Sequence, residues 1–340
     1  MKLSQFNFKL PASQVALYPH KAKRVVKTAS GERTFEITRR DEARLMVIHK
    51  KSETIEMYKT DENGKEMKDA DGNPVFLQFK DIVNYFEEGD TFIFNDTKVF
   101  PARLYGTKEK TDAKIEVFLL RELNPEMRLW DVLVEPARKI RIGNKLFFDD
   151  VNEMVAEVID NTTDEFKRSL FALGEAPLPR YVIDARESHH ATEEDMEDFQ
   201  CVFAEKEGAV TAPATGLHFS RELMKRMEIN GINEAYITLH CGLGNFHEIE
   251  VEDLTKHKMD SEQMIISQEA CDLVNRTKAE GHRVCAVGTS VMKATETAVG
   301  TDGMMKAFDG WTNKFIFPPY EFGLADCAVA NFYHPESTLM

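Results

Sequence analysis

Short runs of mixed apolar and polar residues recur between about Thr91 and Leu173, separated by turns rich in charged residues, Asn, Asp and Gly. Their spacing of about ten residues is typical of short antiparallel strands. Closing such a sheet removes unprotected edges. The pattern therefore predicts a small antiparallel β-barrel. The runs are TFIFN, VFPARLYG, KIEVFLL, RLWDVLVEP, KLFFD, MVAEVID and FKRSLFAL.

The pattern changes after about Pro177, where strand-length apolar stretches alternate with amphipathic stretches of helical length. Ser220 and Ser267 are suited to cap two helices, and Gly231 and Gly281 to end them. Such alternation favours parallel strands in an α/β architecture. The predicted helices are Glu193–Cys201, Arg221–Ile229, Gln268–Glu280 and about Val291–Val299, and the predicted strands are Glu234–His240, Met264–Ser267, Arg283–Thr289, Lys314–Phe317 and Ala328–Phe332.

Composition narrows the class of protein. A chain of 340 residues favours two domains. It shows no signal-peptide pattern and no apolar stretch of about 18 residues, so we expect a cytoplasmic protein without a membrane span. Five cysteines without a C-x-x-C motif favour reduced thiols, and no set of metal ligands is spaced usefully. The net charge of −15 argues against a non-specific nucleic-acid coat protein.

Two local features stand against this acidic background. Basic residues cluster at His20–Lys27 and at Ala137–Lys145, and either cluster could form a basic face or an ordinary solvated surface. The segment Val25–Arg40 is expected to be a surface hairpin, and Lys59–Asn73 an exposed turn region.

Three predicted strands of the second half run into polar loops that contain Gly or Pro. In parallel sheets, ligands bind beyond the carboxyl ends of the strands, so these loops are candidate sites. His240 is followed by the G-x-G of Gly242 and Gly244, although a structural histidine and a ligand-free turn are the alternatives. Gly288, Thr289 and Ser290 open a helix whose free N–H groups favour anions. Asn331 lies near the end of the last predicted strand, close to His334.

The segment GAVTAPATGLHF at 208–219 is unusually rich in small residues. It predicts a defined irregular loop that forms a pocket wall, and a packing loop is the alternative. His218 lies just before a helix start, where the helix dipole favours a neutral imidazole. Asn95 and Thr97 form a polar turn that an Asx turn could explain, whereas Arg103 on the following strand has no such explanation.

Taken in order, these segments resemble the S-adenosylmethionine:tRNA ribosyltransferase-isomerase family of queuosine biosynthesis. The resemblance rests on KLSQFNFKLPASQVALYP, FNDTKVFPARLYG, PLPRYV, EGAVTAPATGLHF, LHCGLGNF, HKMDSE, AVGTS and NFYHPESTL. It implies an α/β barrel-like catalytic domain formed by both chain ends (1–96 and 177–340) with a small antiparallel β-barrel domain (97–176) inserted between them.

The resemblance also implies a reaction. The ribosyl part of S-adenosylmethionine, a co-substrate, moves onto the aminomethyl-deazaguanine base of the tRNA anticodon region. Adenine and methionine leave, and epoxyqueuosine tRNA forms without a prosthetic group or metal. We expect the protein to act as a monomer.

This chemistry suggests roles for the candidate residues. His218 and His240 are candidates for the base that removes a proton next to the sulfonium. The amides of Gly288–Ser290, with Lys293, could hold the methionine carboxylate. Arg138, Lys139 and Arg141 are candidates for RNA phosphates. The residues assigned to substrate binding are Asn95, Thr97, Arg103, Gly208, Ala209, Pro213, Thr215, Gly216, Gly242, Gly244, Gly288, Thr289, Ser290, Lys293 and Asn331.

The chain departs from the family pattern at several positions. Ala214 and Thr215 are exchanged, Lys293 stands where arginine is usual, and Tyr333 takes the place of a histidine. An insertion lies near Val25–Arg40, and family members continue beyond the final STL, so the C-terminus is expected to be truncated. Two alternatives remain: a methyltransferase, suggested by ITLHCGLGNF, and a non-catalytic tRNA-binding relative.

Overall fold

The computed structural model describes residues 1–28, 31–124, 126–127, 129–148, 155–162, 165–169, 178, 182–183, 186, 191–242 and 249–339. The α-helices are α1 (Glu193–Asp198), α2 (Arg221–Ile229), α3 (Gln268–Ala279) and α4 (Thr289–Ala298). The first strands are β1 (Lys21–Thr28), β2 (Gly31–Thr38), β3 (Val47–His49), β4 (Thr54–Glu56), β5 (Thr91–Asn95), β6 (Thr97–Val99), β7 (Arg103–Lys108), β8 (Lys114–Asn124) and β9 (Leu129–Glu135). The later strands are β10 (Lys145–Phe147), β11 (Val155–Thr162), β12 (Glu165–Ser169), β13 (Lys206–Ala209), β14 (Asn233–Leu239), β15 (Glu262–Ile266), β16 (Val284–Val287), β17 (Phe308–Thr312) and β18 (Cys327–Val329).

The predicted antiparallel barrel is confirmed. Its strands follow the order β10-β11-β12-β9-β8-β7, and pairing between β10 and β7 closes it. Alternate residues fill its interior, among them Leu104, Val117 and Leu146. The run TFIFN does not belong to this barrel. It is β5, whose five residues are all buried in the main sheet, as expected of a strand covered on both faces.

The main sheet has six strands in the order β17-β15-β14-β5-β16-β18, which makes the fold mixed α/β. The four strands β14, β5, β16 and β18 are parallel neighbours, as the alternation of strands and helices predicts. The other two, β15 and β17, are antiparallel, so the expectation of purely parallel pairing is wrong at this edge.

The strand predicted at Lys314–Phe317 is also wrong, because the edge strand lies earlier, at Phe308–Thr312. Phe315 and Phe317 instead pack against a small separate cluster that contains Leu3, Ile249 and Leu254. Their apolar character therefore reflects this local packing and not a strand.

Helices cover both faces of the main sheet. Ile93 faces residues of α3 and α4, while Phe92 and Phe94 face α2 and the 3₁₀ helix Phe79–Tyr85. The helix α2 has the predicted bounds, and Ser220 Oγ accepts the Leu223 N–H at 3.0 Å. Ser267 caps α3 in the same way, and α3 ends one residue before its predicted end. Within the described ranges, no helix has the length and apolar character to cross a membrane.

The N-terminal third adds a hairpin, since β1 pairs with β2 in antiparallel register from Lys21↔Thr38 to Thr28↔Gly31. This confirms the expectation of a surface hairpin near Val25–Arg40. The region 60–73 is exposed throughout, as expected of turns, while Lys59 is half-buried and pairs with Asp81.

Phe219 is the aromatic centre of the face covered by α2, where it is fully buried and contacts Phe79, Phe92 and Phe94. We expect Phe219→Ala to lower the free energy of unfolding by about 3–5 kcal/mol, because it leaves a cavity among rings that cannot collapse. Phe332→Ala is the control, because Phe332 is 86% exposed and its loss should change stability by less than about 0.5 kcal/mol. Urea unfolding measures both, and similar losses would contradict this description of the core.

Candidate active site

Four predicted site residues lie together at one edge of the main sheet. Asn95 ends β5, His240 follows β14, Gly288 follows β16, and Asn331 lies two residues beyond β18. These are the carboxyl ends of the four parallel strands, where α/β sheets bind ligands. The structure therefore brings together four candidate residues that the sequence places at or beyond the ends of these strands.

The buried side chain of Asn95 joins three of these elements. Its Oδ1 accepts the N–H groups of Leu239 at 2.9 Å and Thr97 at 3.2 Å. Its Nδ2 donates to the Leu239 carbonyl at 2.9 Å and to Ser290 Oγ at 3.2 Å. Asn95 thus connects the end of β14 to the start of α4.

A cleft of about 1800 Å³ opens at this edge. His240, Gly208 and Gly242 line it, and they are the predicted site residues that do so. Phe100 and Trp130, whose rings lie 5.5 Å apart, contribute an aromatic wall on the side of the barrel. The 3₁₀ turn after the hairpin (Arg40–Glu42) and α1 add charged residues of both signs, including Arg40, Asp41 and Glu194.

His240 is held by two neighbours. Its Nδ1 lies 2.8 Å from Thr97 Oγ1, and the buried Thr97 begins β6. Its ring lies against Gly208, where a Cβ atom would come within 2.7 Å of ring Cε1 and Nδ1. Only glycine fits at position 208. Burial lowers the pKa of His240 from its usual value of 6.5, so the imidazole is neutral at pH 7.

His218 has a different environment. Its Nε2 lies 2.8 Å from Asn331 Oδ1, and the ring also hydrogen-bonds the backbone of Arg40. The ring packs against Phe79 with centroids 5.2 Å apart, and it does not line the cleft. Burial lowers the pKa of His218 as well. The imidazole is neutral, but its polar contacts are to the protein.

Of the segment 208–219, which the sequence predicts as a pocket wall, only Gly208 lines the cleft, and Ala214–His218 forms a 3₁₀ turn behind it. The Pro213 carbonyl accepts the Gly216 N–H at 2.8 Å, and a Cβ at Gly216 would meet Cys201 Sγ at 2.7 Å. Ala209 is fully buried, and its carbonyl accepts the Phe100 N–H at 3.3 Å. Pro213, Gly216 and Ala209 therefore shape the wall and do not line the cleft.

Two departures from the family pattern meet in this wall. The hydroxyl of the buried Thr215 lies 3.3 Å from the Tyr333 hydroxyl. Gly288 packs beside Thr215, because a Cβ there would lie 3.4 Å from Thr215 Cβ. The Gly288 N–H donates to the Val329 carbonyl at 2.8 Å, so the open amides of α4 begin with Thr289 and Ser290.

Lys293 does not offer a free positive charge. Its Nζ lies 2.6 Å from Glu262 Oε2, and both side chains are buried. The other oxygen, Glu262 Oε1, accepts the Gly242 N–H at 2.8 Å. Glu262 itself lines the cleft. The pair therefore fixes the loop after β14, and the N–H of Gly242 is already bonded to protein.

Arg103, Arg138 and Arg141 do not line the cleft. Arg103 pairs with Glu116 within the barrel and donates to the Leu178 carbonyl at 3.3 Å. Arg138 and Arg141 are exposed in the loop between β9 and β10. The backbone of Lys139 lies in the same loop, in the 3₁₀ turn Ala137–Lys139. Gly244 lies outside the described residues.

Sequence reasoning missed Glu262, Phe100 and Trp130. The sequence pattern does not show that Glu262 has a buried partner, because that partner, Lys293, follows 31 residues later. The aromatic pair comes from β9 and from the segment before β7, and nothing in the local pattern shows that the two rings meet. Among the residues that the structure describes, no group of three potential metal ligands occurs.

The similarity of the whole chain to known proteins decides the family. The family described as queuosine biosynthesis protein matches residues 3–340. The chain belongs to the queuosine biosynthesis protein family. A relative from Phocaeicola vulgatus, named S-adenosylmethionine:tRNA ribosyltransferase-isomerase, is 59% identical over 100% of this chain and 89% of its own length.

Other members are nearly as similar. The enzyme of the same name from Bacteroides fragilis is 57% identical over 100% of this chain and 89% of its own length. A crystal structure of S-adenosylmethionine tRNA ribosyltransferase from Thermotoga maritima is 25% identical, covers 98% of this chain and 87% of that chain, and has a TM-score of 0.46.

Within this member of the queuosine biosynthesis family, the Lys293–Glu262 pair should matter for stability. We expect Lys293→Ala to lower the free energy of unfolding by about 3–5 kcal/mol at pH 7, because it leaves a buried carboxylate without its cation. Lys98→Ala is the matched control, since Lys98 pairs with Glu207 at 3.0 Å with side chains that are 42% and 68% exposed. That variant should lose less than about 1 kcal/mol. Urea unfolding that gives equal small losses would show that the buried pair is not stabilising the loop.

Proposed function

We propose that this chain transfers and isomerises the ribosyl part of S-adenosylmethionine onto the aminomethyl-deazaguanine base of tRNA, with release of adenine and methionine and formation of epoxyqueuosine tRNA. The observation that carries the proposal is the similarity of the entire chain to enzymes of that name, at 59% identity for one of them. The cleft at the carboxyl edge of the parallel strands supports it, because it combines a neutral imidazole with an aromatic wall.

The reaction needs a base that removes a proton from the carbon next to the sulfonium. A base must reach the substrate and must be unprotonated at the working pH. His240 meets both conditions, because it lines the cleft and burial lowers its pKa. His218 is also unprotonated, but it does not reach the substrate, because its ring nitrogens hydrogen-bond Asn331 and the Arg40 backbone. We therefore assign the base to His240 and a structural role in the wall to His218.

The methionine carboxylate needs hydrogen-bond donors. We assign it to the first-turn amides of α4 at Thr289 and Ser290, which lie beyond the residues that line the cleft, because the helix dipole there favours an anion. Lys293 is less suited to bind it, because Glu262 already neutralises its charge at 2.6 Å. The lysine that stands at position 293 in place of the usual arginine therefore affects the ion pair with Glu262. The Thr215–Tyr333 contact closes the wall next to Gly288 on the same side.

Recognition of tRNA combines charge and stacking. We assign phosphate contacts to Arg138, Lys139 and Arg141, in the loop between β9 and β10, because RNA backbones require cations. Unpaired anticodon bases are recognised by stacking on aromatic side chains, which Phe100 and Trp130 supply. In the proposed arrangement, 97–176 is an inserted barrel domain that carries these RNA contacts. The catalytic domain comprises 1–96 and 177–340, and the enzyme acts as a cytoplasmic monomer.

Replacing the histidines one at a time tests the base assignment. We expect His240→Ala to reduce adenine release from S-adenosylmethionine by roughly 10²–10⁴-fold in the presence of precursor tRNA, the range typical for loss of a general base. His218→Ala should reduce it by less than about tenfold, since that ring contacts protein and not substrate.

His282→Ala is the matched control. The His282 ring packs on Gly89 much as His240 packs on Gly208, but at the amino end of β16. It should retain full adenine release. Near-normal turnover by His240→Ala would overturn the base assignment. A methyltransferase would release no adenine, and neither would a tRNA-binding relative without activity.

The pH dependence of the reaction gives an independent test. A base acts in its deprotonated form, so kcat falls as the pH drops through the pKa of the base. Because burial lowers the pKa of His240, we expect the acid limb of kcat to have its midpoint below 6.5. Turnover at saturating substrates across pH 5–9 measures this limb, and a midpoint well above 7 would point to another group.

A further inference from the structure

Thr97 lies at the most constrained point of the site. It opens β6, which pairs in parallel with β13 in the register Lys206↔Thr97, Glu207↔Lys98 and Ala209↔Val99. The register skips Gly208, so this residue forms an irregularity between two paired positions. The His240 ring occupies the space that a side chain at 208 would fill. The β6–β13 pair therefore places the Thr97 hydroxyl and the Gly208 backbone on the same imidazole.

The backbone around both partners is fixed as well. Asn95 Oδ1 accepts the Thr97 N–H at 3.2 Å and the Leu239 N–H at 2.9 Å, so one amide locates Thr97 and the residue before His240. The His240 N–H donates to the Gln263 carbonyl at 3.0 Å. Within these constraints, Thr97 Oγ1 meets Nδ1 at 2.8 Å, and Nε2 is the ring nitrogen without a hydrogen bond to a described residue.

We infer that Thr97 is a positioning residue that accepts the Nδ1–H of His240 and thereby keeps the Nε2 lone pair available to the cleft. This inference rests on the proposed function, in which His240 is the base. A neutral imidazole carries one proton, and the hydrogen bond at one nitrogen determines which nitrogen keeps it. When Nε2 takes the proton from the substrate carbon, the ring becomes cationic. The bond from Nδ1 to Thr97 then persists and stabilises that charge.

Two substitutions separate the hydroxyl from the shape of the side chain. Thr97→Val removes the hydroxyl at nearly constant volume, and we expect kcat for adenine release to fall about 10–100-fold, the range found for partners that orient metal-ligating histidines. The KM for S-adenosylmethionine should change by less than about twofold, because the cleft wall is intact. Thr97→Ser keeps the hydroxyl and should retain kcat within about threefold.

The pH midpoint of the acid limb of kcat distinguishes a positioning role from a structural one. If Thr97 only stabilised the fold, Thr97→Val would leave this midpoint unchanged. Without the acceptor, the protonated ring loses a stabilising hydrogen bond, so the limb should shift to lower pH in Thr97→Val and stay in place in Thr97→Ser. Thr91→Val is the control, because the Thr91 hydroxyl bonds Thr277 at 2.6 Å at the opposite end of β5. That variant should leave both kcat and the limb unchanged. A shift to higher pH in Thr97→Val, or an equal loss in Thr97→Ser, would overturn the inference.

The tautomer can be observed without turnover. Long-range ¹H–¹⁵N correlation spectra of the full chain, with His240 assigned by its absence in His240→Gln, distinguish Nδ1–H from Nε2–H. We expect Nδ1–H in the wild-type protein and a change of tautomer in Thr97→Val. An Nε2–H signal in the wild type would contradict the inference even if the enzyme is active. Failure of the wild type to release adenine would instead refute the proposed function, while the tautomer result would still decide the role of Thr97.

Discussion

The side-chain amide of Asn95 is the interaction on which the site depends. A buried amide that lacks partners costs the full desolvation of its polar groups, so its hydrogen bonds are obligatory and not incidental. Asn95 satisfies them with Thr97, with both backbone groups of Leu239 and with Ser290. The end of β5, the end of β14 and the start of α4 are thereby held in one arrangement. Catalysis requires such fixed geometry, because a small displacement of a reacting group costs much of its rate.

Small residues make the rest of the arrangement possible. Gly208 admits the His240 ring, Gly216 admits Cys201 and Phe203, and Gly288 lies against Thr215. A Cβ at Gly208 or Gly216 would collide with these side chains, whereas at Gly288 it would only touch Thr215, and there the φ of +90° is what favours glycine. The small-residue segment 208–219 therefore packs against the ring of His240 at Gly208 and against Gly288 at Thr215.

Local patterns predicted what local physics determines. Ser220 and Gly231 bracket α2 at its predicted bounds, because capping depends on neighbours in the sequence. The grouping of Asn95, His240, Gly288 and Asn331 at one edge followed from their places at the carboxyl ends of parallel strands. The partners of Arg103 and Lys293 did not follow, because Glu116 and Glu262 reach them through tertiary packing. For the same reason, the sequence left His218 and His240 as equal candidates for the base, and only their neighbours separate the two. The edge strand β17 was misplaced because Phe315 and Phe317 pack in a different cluster.

The central claim is that a cleft built on these contacts moves a ribosyl group and not a methyl group. The most direct measurement is mass analysis of the modified base. The full chain is first incubated with precursor tRNA and with S-adenosylmethionine that is deuterated at the ribosyl carbon bonded to the sulfonium. We predict that the base gains the ribosyl-derived group, that this group has lost one of its deuterium atoms, and that free adenine appears in solution. A base that has gained a methyl group, or an unchanged base without adenine release, would contradict the account.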